Sequence, residues 1–286
     1  METELVWRQN LDLIYSLRML KASTISLLII NVLFHNICAA ENITLVADPW
    51  CPYNCAQDSP YKGYLIEIAE LAFSKHNIDV EYVIQPWPRA IQGVLQGKND
   101  ALLGVSKNEV PQLIFPRQEL GVAKHVFITK NDSTWQYSNL ASLNEISIGV
   151  IKGYSYGEFD QFYITKAKIK TGKVQPVGSI KGLSQNIKKL QRNRIDALIE
   201  DSNVFNFFLL ENNISNNFRE AGAADKENIY IAFSPVNPKA EVYAQILSQE
   251  LDEMRANGQL NKILKKYNLQ DWRKADNEQL GNKASG

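Results

Sequence analysis

The chain has 286 residues, 45% hydrophobic and 10% aromatic, which is enough to bury the core of one large domain or of two small ones. Its 31 basic and 31 acidic residues cancel, removing the electrostatic basis for nucleic-acid binding, which needs a basic face. Three histidines and three cysteines in 286 residues, none at metal-ligand spacing, give no expectation of a metal.

Residues 1–40 read as a leader. Lys21 precedes the apolar run Ile25 to Phe34, and the small residues Ala39 and Ala40 follow Ile37-Cys38, the layout of a cleaved secretory signal. A leader starting at Met19 would have ordinary proportions, so residues 1–18 read as an upstream extension. The run is short for a membrane span and is interrupted by Asn31, His35 and Asn36. Export would place the mature chain where disulfides persist, and Cys51 and Cys55 are then an even pair expected to bridge.

The mature chain begins with a strand, Ile43 to Ala47, stopped by Asp48-Pro49 because proline cannot continue a central ladder. From Tyr64, apolar Leu65, Ile66, Ile68, Ala69, Ala72 and Phe73 recur at helical spacing against Glu67, Glu70 and Lys75. Between strand and helix lies Pro49-Trp50-Cys51-Pro52-Tyr53-Asn54-Cys55. Aromatic residues just past the carboxyl end of a strand are placed where open α/β sheets bind ligands, so this loop is expected to wall a cleft.

A second strand, Glu81 to Ile84, leads through Gln85-Pro86-Trp87-Pro88-Arg89 into a helix from about Ala90 to Leu95, closed by Gly97. Asp100 to Val105 is a third strand, and Val126 to Thr129 a fourth, before the polar run Lys130 to Ser133. A new βα pattern starts at Ile146 to Ile151 and passes through helices near Glu158–Tyr163 and Leu183–Leu190. Leu95-Gln96 before Asp100-Ala101-Leu102-Leu103 is echoed by Leu190-Gln191 before Asp196-Ala197-Leu198-Ile199. The echo implies two lobes of like construction. A helix at Asn203–Leu210, a strand at Ile229–Phe233 and helices at Val242–Met254 and Leu260–Tyr267 complete the pattern, with a polar tail after Trp272.

Gly153-Tyr154-Ser155-Tyr156-Gly157 matches the Gly-x-Ser-x-Gly nucleophile elbow between a strand and a helix, which raises a serine hydrolase using Ser155 as a competing function. In that hydrolase arrangement the histidine follows the serine, whereas all three histidines here precede Ser155. The turn can instead present Ser155 and backbone N–H groups to a polar ligand. With neither a phosphate loop nor a dinucleotide glycine fingerprint, no cofactor is expected.

These features together resemble the extracellular solute-binding proteins of family 3, the periplasmic polar amino acid-binding proteins of ABC transporters. The resemblance is carried by Asp48-Pro49-Trp50, Gly63-Tyr64, Gly97-Lys98-Asn99-Asp100-Ala101, Ile148-Gly149-Val150 with Gly153, Asp196-Ala197 with Asp201, and Met254-Arg255-Ala256-Asn257-Gly258 before Leu260. It runs from about Ile43 to Leu269.

The resemblance implies a non-enzymatic α/β protein of the two-lobed periplasmic binding protein fold (type II-like), each lobe a mostly parallel sheet flanked by helices. The first lobe would be discontinuous, 41–129 and 225–272, the second would be 130–224, and 273–286 a tail. It further implies a periplasmic monomer that takes a small-molecule ligand in a hinged cleft and hands it to an ABC permease, or reports it to a membrane sensor. By position, Trp50 is the aromatic wall, Gly104 to Ser106 receive polar groups, Tyr154 and Ser155 sit at the second-lobe helix, and Asp201 takes a ligand ammonium. Tyr53 and Trp87 add aromatic faces for a cationic or polar group. The family's Thr-x-x-Arg, whose arginine clamps a carboxylate, is replaced by Ser106-Lys107-Asn108-Glu109, leaving Arg89 or Lys107 as substitutes. Trp87 could alternatively pack on a lobe surface, Arg89 be solvated, and Asp201 cap the helix that follows it.

Overall fold

The computed structural model describes residues 41–273 apart from 179 and 216, with no side chain described at 158 or 161; the leader and residues 274–286 lie outside the described residues. β1 (Glu41–Ala47) ends at Asp48-Pro49, and after the aromatic loop α1 (Tyr64–Ser74) buries the apolar stripe that its spacing predicts. The N–H groups at the start of α1 find partners in the loop: Tyr64 donates to the Pro52 carbonyl at 2.9 Å and Leu65 to that of Tyr53 at 3.0 Å. Gly63, with φ of 104°, permits this contact, because a Cβ there would lie 2.5 Å from the Asn54 Cα. The loop is thus fastened to the helix start, and the Cys51–Cys55 disulfide closes it.

β2 (Ile78–Ile84) is followed by α2 (Trp87–Leu95), whose first turn begins behind Pro86 with Pro88 at an early position where no N–H is needed. This helix starts three residues earlier than the sequence pattern suggests, and Trp87 is consequently its first residue. β3 (Ala101–Ser106) and β4 (Gly121–Lys130) come next, then a 3₁₀ turn at Leu140–Glu145. β5 (Ile148–Ile151), the short helices α3 (Glu158–Phe162) and α4 (Lys166–Lys170), and β6 (Val174–Val177) follow. The remaining elements are α5 (Gly182–Gln191), β7 (Ala197–Asp201), α6 (Ser202–Glu211), β8 (Phe218–Phe233), α7 (Ala240–Ala256) and α8 (Gln259–Lys266).

The strands are ordered β2-β1-β3-β8-β4-β7-β5-β6. Each outer triplet is parallel, β1 with β2 and β3, β5 with β6 and β7. The central pairings of β3 with β8, β8 with β4 and β4 with β7 are antiparallel. The internal echo has a structural counterpart: Asp100 accepts the N–H of Thr44 at the head of the β1 pairing (2.8 Å), and Asp196 accepts that of Ser147 before β5 (2.7 Å).

β8 begins at Phe218, eleven residues before the strand expected at Ile229. Its polar first part pairs antiparallel with β4 in a ribbon that β7 extends at His125–Ile128, which satisfies the backbone while leaving alternate side chains to water, so no apolar run marks it. Apolar burial is divided on either side of this ribbon. One core gathers β1–β3, α1, α2, α7, α8 and the end of β8, while two smaller clusters surround Phe127, Ile148 and Tyr156, and Val126, Leu198 and Phe205. Complete burial of a leucine, isoleucine or phenylalanine side chain contributes about 1.5–3 kcal/mol, so Leu65, Ile68 and Phe73 anchor α1 firmly to its sheet.

Candidate functional site

The loop after β1, the start of α2, the end of β3 and the turn after β5 converge on a cavity of about 40 Å³. Its walls include Trp50, Trp87 and Tyr154, with Asp48, Asn54, Gly104, Ser106, Glu109, His125, Ser155 and Glu227 supplying polar atoms. The Trp50 ring lies over β3 because position 104 carries no side chain; a Cβ there would stand 3.3 Å from the indole. Tyr53 backs Trp50 as a stacked ring at 4.2 Å. A second, open groove of about 860 Å³ lies beside the disulfide loop and the starts of α5 and α6. Trp50 and Tyr154 line both spaces, so these two rings form the partition between groove and cavity.

The two triplets meet at this partition through side chains. The Tyr154 hydroxyl donates to Asp48 Oδ2 at 2.9 Å, the Trp50 indole N–H to Glu200 Oε1 at 3.1 Å, and Asn203 Nδ2 to the Tyr53 hydroxyl at 3.1 Å. The Trp87 indole N–H donates to Glu109 Oε1 at 2.7 Å, and the Trp87 and Tyr154 rings meet edge to face at 6.3 Å.

Carboxylates dominate the electrostatics. Burial, reinforced by the charges of Glu227, Asp160 and Asp48, pushes the Glu109 carboxyl up to about 7 against the pull of the Trp87 hydrogen bond. Burial likewise raises Glu200 to about 7 and Asp160 to about 6. His125 is the one basic side chain among the described residues lining the cavity. Burial works against its charged form, but the Glu227 hydrogen bond and the charges of Asp201 and Glu200 prevail and raise its pKa. Its Nε2 lies 3.6 Å from Glu227 Oε2. The arrangement favours a partner that donates hydrogen bonds and brings positive charge.

Residues 43–270 match the family model of the bacterial extracellular solute-binding proteins, family 3. The chain belongs to that family. A probable histidine-binding protein of Campylobacter jejuni is 26% identical over 223 residues, 77% of this chain and 81% of the relative. Among solved structures, the solute-binding protein is similar to a Streptococcus pneumoniae ABC uptake transporter substrate-binding protein with bound histidine. The TM-score is 0.65 at 18% identity, covering 79% of this chain and 92% of the other. A histidine kinase sensor domain matches with a TM-score of 0.65 at 17% identity, covering 79% and 95%. The α/β fold expected from the sequence is therefore that of this solute-binding protein, and the family is one of extracellular binding proteins.

Of the residues that the sequence suggested for its site, the solute-binding protein brings Trp50, Trp87, Gly104, Ser106, Tyr154 and Ser155 together around the cavity. Tyr53 is buried behind Trp50, with its hydroxyl donating to the Val122 carbonyl at 3.3 Å. Arg89 is exposed on α2, and Lys107 lies over the Tyr230 ring at 4.8 Å; neither lines the cavity. Asp201 is wholly buried at the start of α6, where it accepts Val204 N–H at 3.0 Å and Lys124 N–H at 2.8 Å. Ser155 lies beside Asp160 and favours its ionised form. Sequence reasoning missed Asp48, Asn54, Glu109, His125 and Glu227 as cavity residues. Glu109 carried a signal, since it stands three residues after Ser106, where the resemblance implied an arginine.

Proposed function

We propose that the chain captures a small polar solute, amino acid-like or an amine, between two lobes and delivers it to the permease of an ABC transporter. The lobes are 41–129 with 225–272, and 130–224, acting as a periplasmic monomer after the leader of residues 1–40 is removed. The observation that carries this reading is the cavity at the junction of the two triplets, with aromatic rings and carboxylates contributed from both sides. Opening the Tyr154–Asp48 and Trp50–Glu200 contacts would admit the solute through the groove, and their re-formation would enclose it. X-ray scattering then gives a smaller radius of gyration at saturating solute than without it; an equal radius contradicts the hinged cleft.

The similarity to a histidine kinase sensor domain supports a second reading, in which the loaded protein signals through a membrane sensor. Deleting the coding region and following radiolabelled solute separates the two. Lost uptake supports delivery to a permease, whereas intact uptake with a lost transcriptional response supports signalling.

A further inference from the structure

Resting on the solute-binding reading, we infer that the solute is an organic cation without a carboxylate, an amine, guanidine or amidine, rather than an amino acid. An amino acid brings a carboxylate, which a binding site ordinarily meets with a charged fork or a set of unoccupied N–H donors. No lysine or arginine is among the described residues lining the cavity; His125 has Nε2 3.6 Å from Glu227 Oε2 and a buried Nδ1 without a partner, so a ligand carboxylate would find one ring nitrogen and no fork. Two N–H groups of the turn after β5 are already taken: that of Tyr154 goes to the Ile151 carbonyl (3.3 Å) and that of Tyr156 to the Asp160 carboxylate (2.9 Å).

One buried acceptor of the cavity wall lacks a donor. Asn54 is 0% exposed and lines the cavity, its Nδ2 donates to the Asp48 carbonyl at 2.6 Å, and its Oδ1 has no partner. Beside it stand the carboxylates of Asp48, Glu109 and Glu227, and the faces of Trp50, Trp87 and Tyr154. A buried acceptor without a donor is costly, and the carboxylates around it favour a positively charged ligand over a neutral or anionic one. A ligand with N–H donors and positive charge answers both demands, and aromatic faces attract it further. A carboxylate on that ligand would be repelled by Asp48 and Glu109.

The test is calorimetric titration of the full chain, freed of bound solute by unfolding and refolding, with paired probes: histidine and histamine, arginine and agmatine, lysine and cadaverine, with glucose as a neutral arm. At least one amine should bind tenfold or more tightly than its parent amino acid, and Glu109→Gln and Asp48→Asn should each weaken it about tenfold or more. The comparison between paired probes needs only the wild-type chain, so it stands even where a variant folds poorly. Binding of an amino acid as tightly as its amine, or of glucose with no amine, overturns the inference and leaves the solute-binding reading intact. Absence of binding by every probe and by a wider set of amino acids, sugars and peptides overturns both.

Discussion

The Tyr154 hydroxyl donates to the Asp48 carboxylate at 2.9 Å, joining the turn after β5 to the loop after β1, two places that correspond in the repeated βαβ pattern. A hydrogen bond to a charged group contributes on the order of 1.5–3 kcal/mol. Tyr154→Phe keeps the ring and removes the bond. Solute affinity should fall about tenfold; an unchanged affinity would show that the contact does not hold the halves together around the solute.

Trp50 contributes a face and an N–H. Trp50→Phe removes the bond to Glu200 while retaining an aromatic surface over Gly104, whereas Trp50→Ala removes both and joins the cavity to the groove. Titration should rank wild type above Trp50→Phe above Trp50→Ala, with the alanine variant at least about 1.4 kcal/mol, or tenfold, weaker than wild type. Equal affinities would remove Trp50 from the site.

Asp201 separates two roles. With its carboxylate accepting two backbone N–H groups, one at the start of α6, Asp201→Ala should lower stability by about 1–2 kcal/mol or more, seen as a lower midpoint in denaturant. Solute affinity should change less than threefold. A variant of unchanged stability and sharply weaker amine binding would make Asp201 the ammonium acceptor.

Stability should depend on pH through the buried acids. Glu109 and Glu200 stand at about 7 when folded against an ordinary 4.5, and Asp160 at about 6 against 3.8. Between those values the folded chain holds protons that the unfolded chain releases, so their contribution is greatest below pH 4 and is lost as pH rises through 6 and 7. The ligand-free melting temperature should therefore be lower at pH 8 than at pH 5. The difference should be at least about 2–4 °C, the shift that about 1 kcal/mol produces in a domain of this size. Binding of a cation should show the opposite trend. Glu109 faces Trp87 on α2, Glu227 on β8, Asp160 after β5 and Asp48 after β1, and its ionised form should be the binding form. Affinity should rise from pH 6 to pH 8 with release of protons; a flat profile would exclude Glu109.

The apolar skeleton was legible in the chain. Leu65, Ile68, Ala69, Ala72 and Phe73 mark the buried face of α1 by spacing alone, and Asp48-Pro49 marks the end of β1 because proline lacks an N–H. Trp50 and Trp87 stand out as aromatic residues past strand ends and Tyr154 by its place in the Gly153–Gly157 turn, and all three line the cavity. The first part of β8 does not stand out, since a ribbon exposed on alternate positions needs no apolar run. The acids of the cavity were hidden for a related reason. Asp48, Glu109 and Glu227 sit at strand ends or in polar stretches where a carboxylate ordinarily meets water, and only the convergence of four separate segments encloses them. Asp201 could be read from sequence as a ligand acceptor or as a cap, because a buried aspartate ending a strand before a helix suits both.

The most direct test of a solute held between the two triplets is native mass spectrometry of the wild-type and Trp50→Ala chains with the amine and amino acid probes. The account predicts one bound probe per wild-type chain at low micromolar protein, and loss of that species in Trp50→Ala with folding intact. Retention of the bound probe by Trp50→Ala at wild-type occupancy would place binding elsewhere and contradict the account.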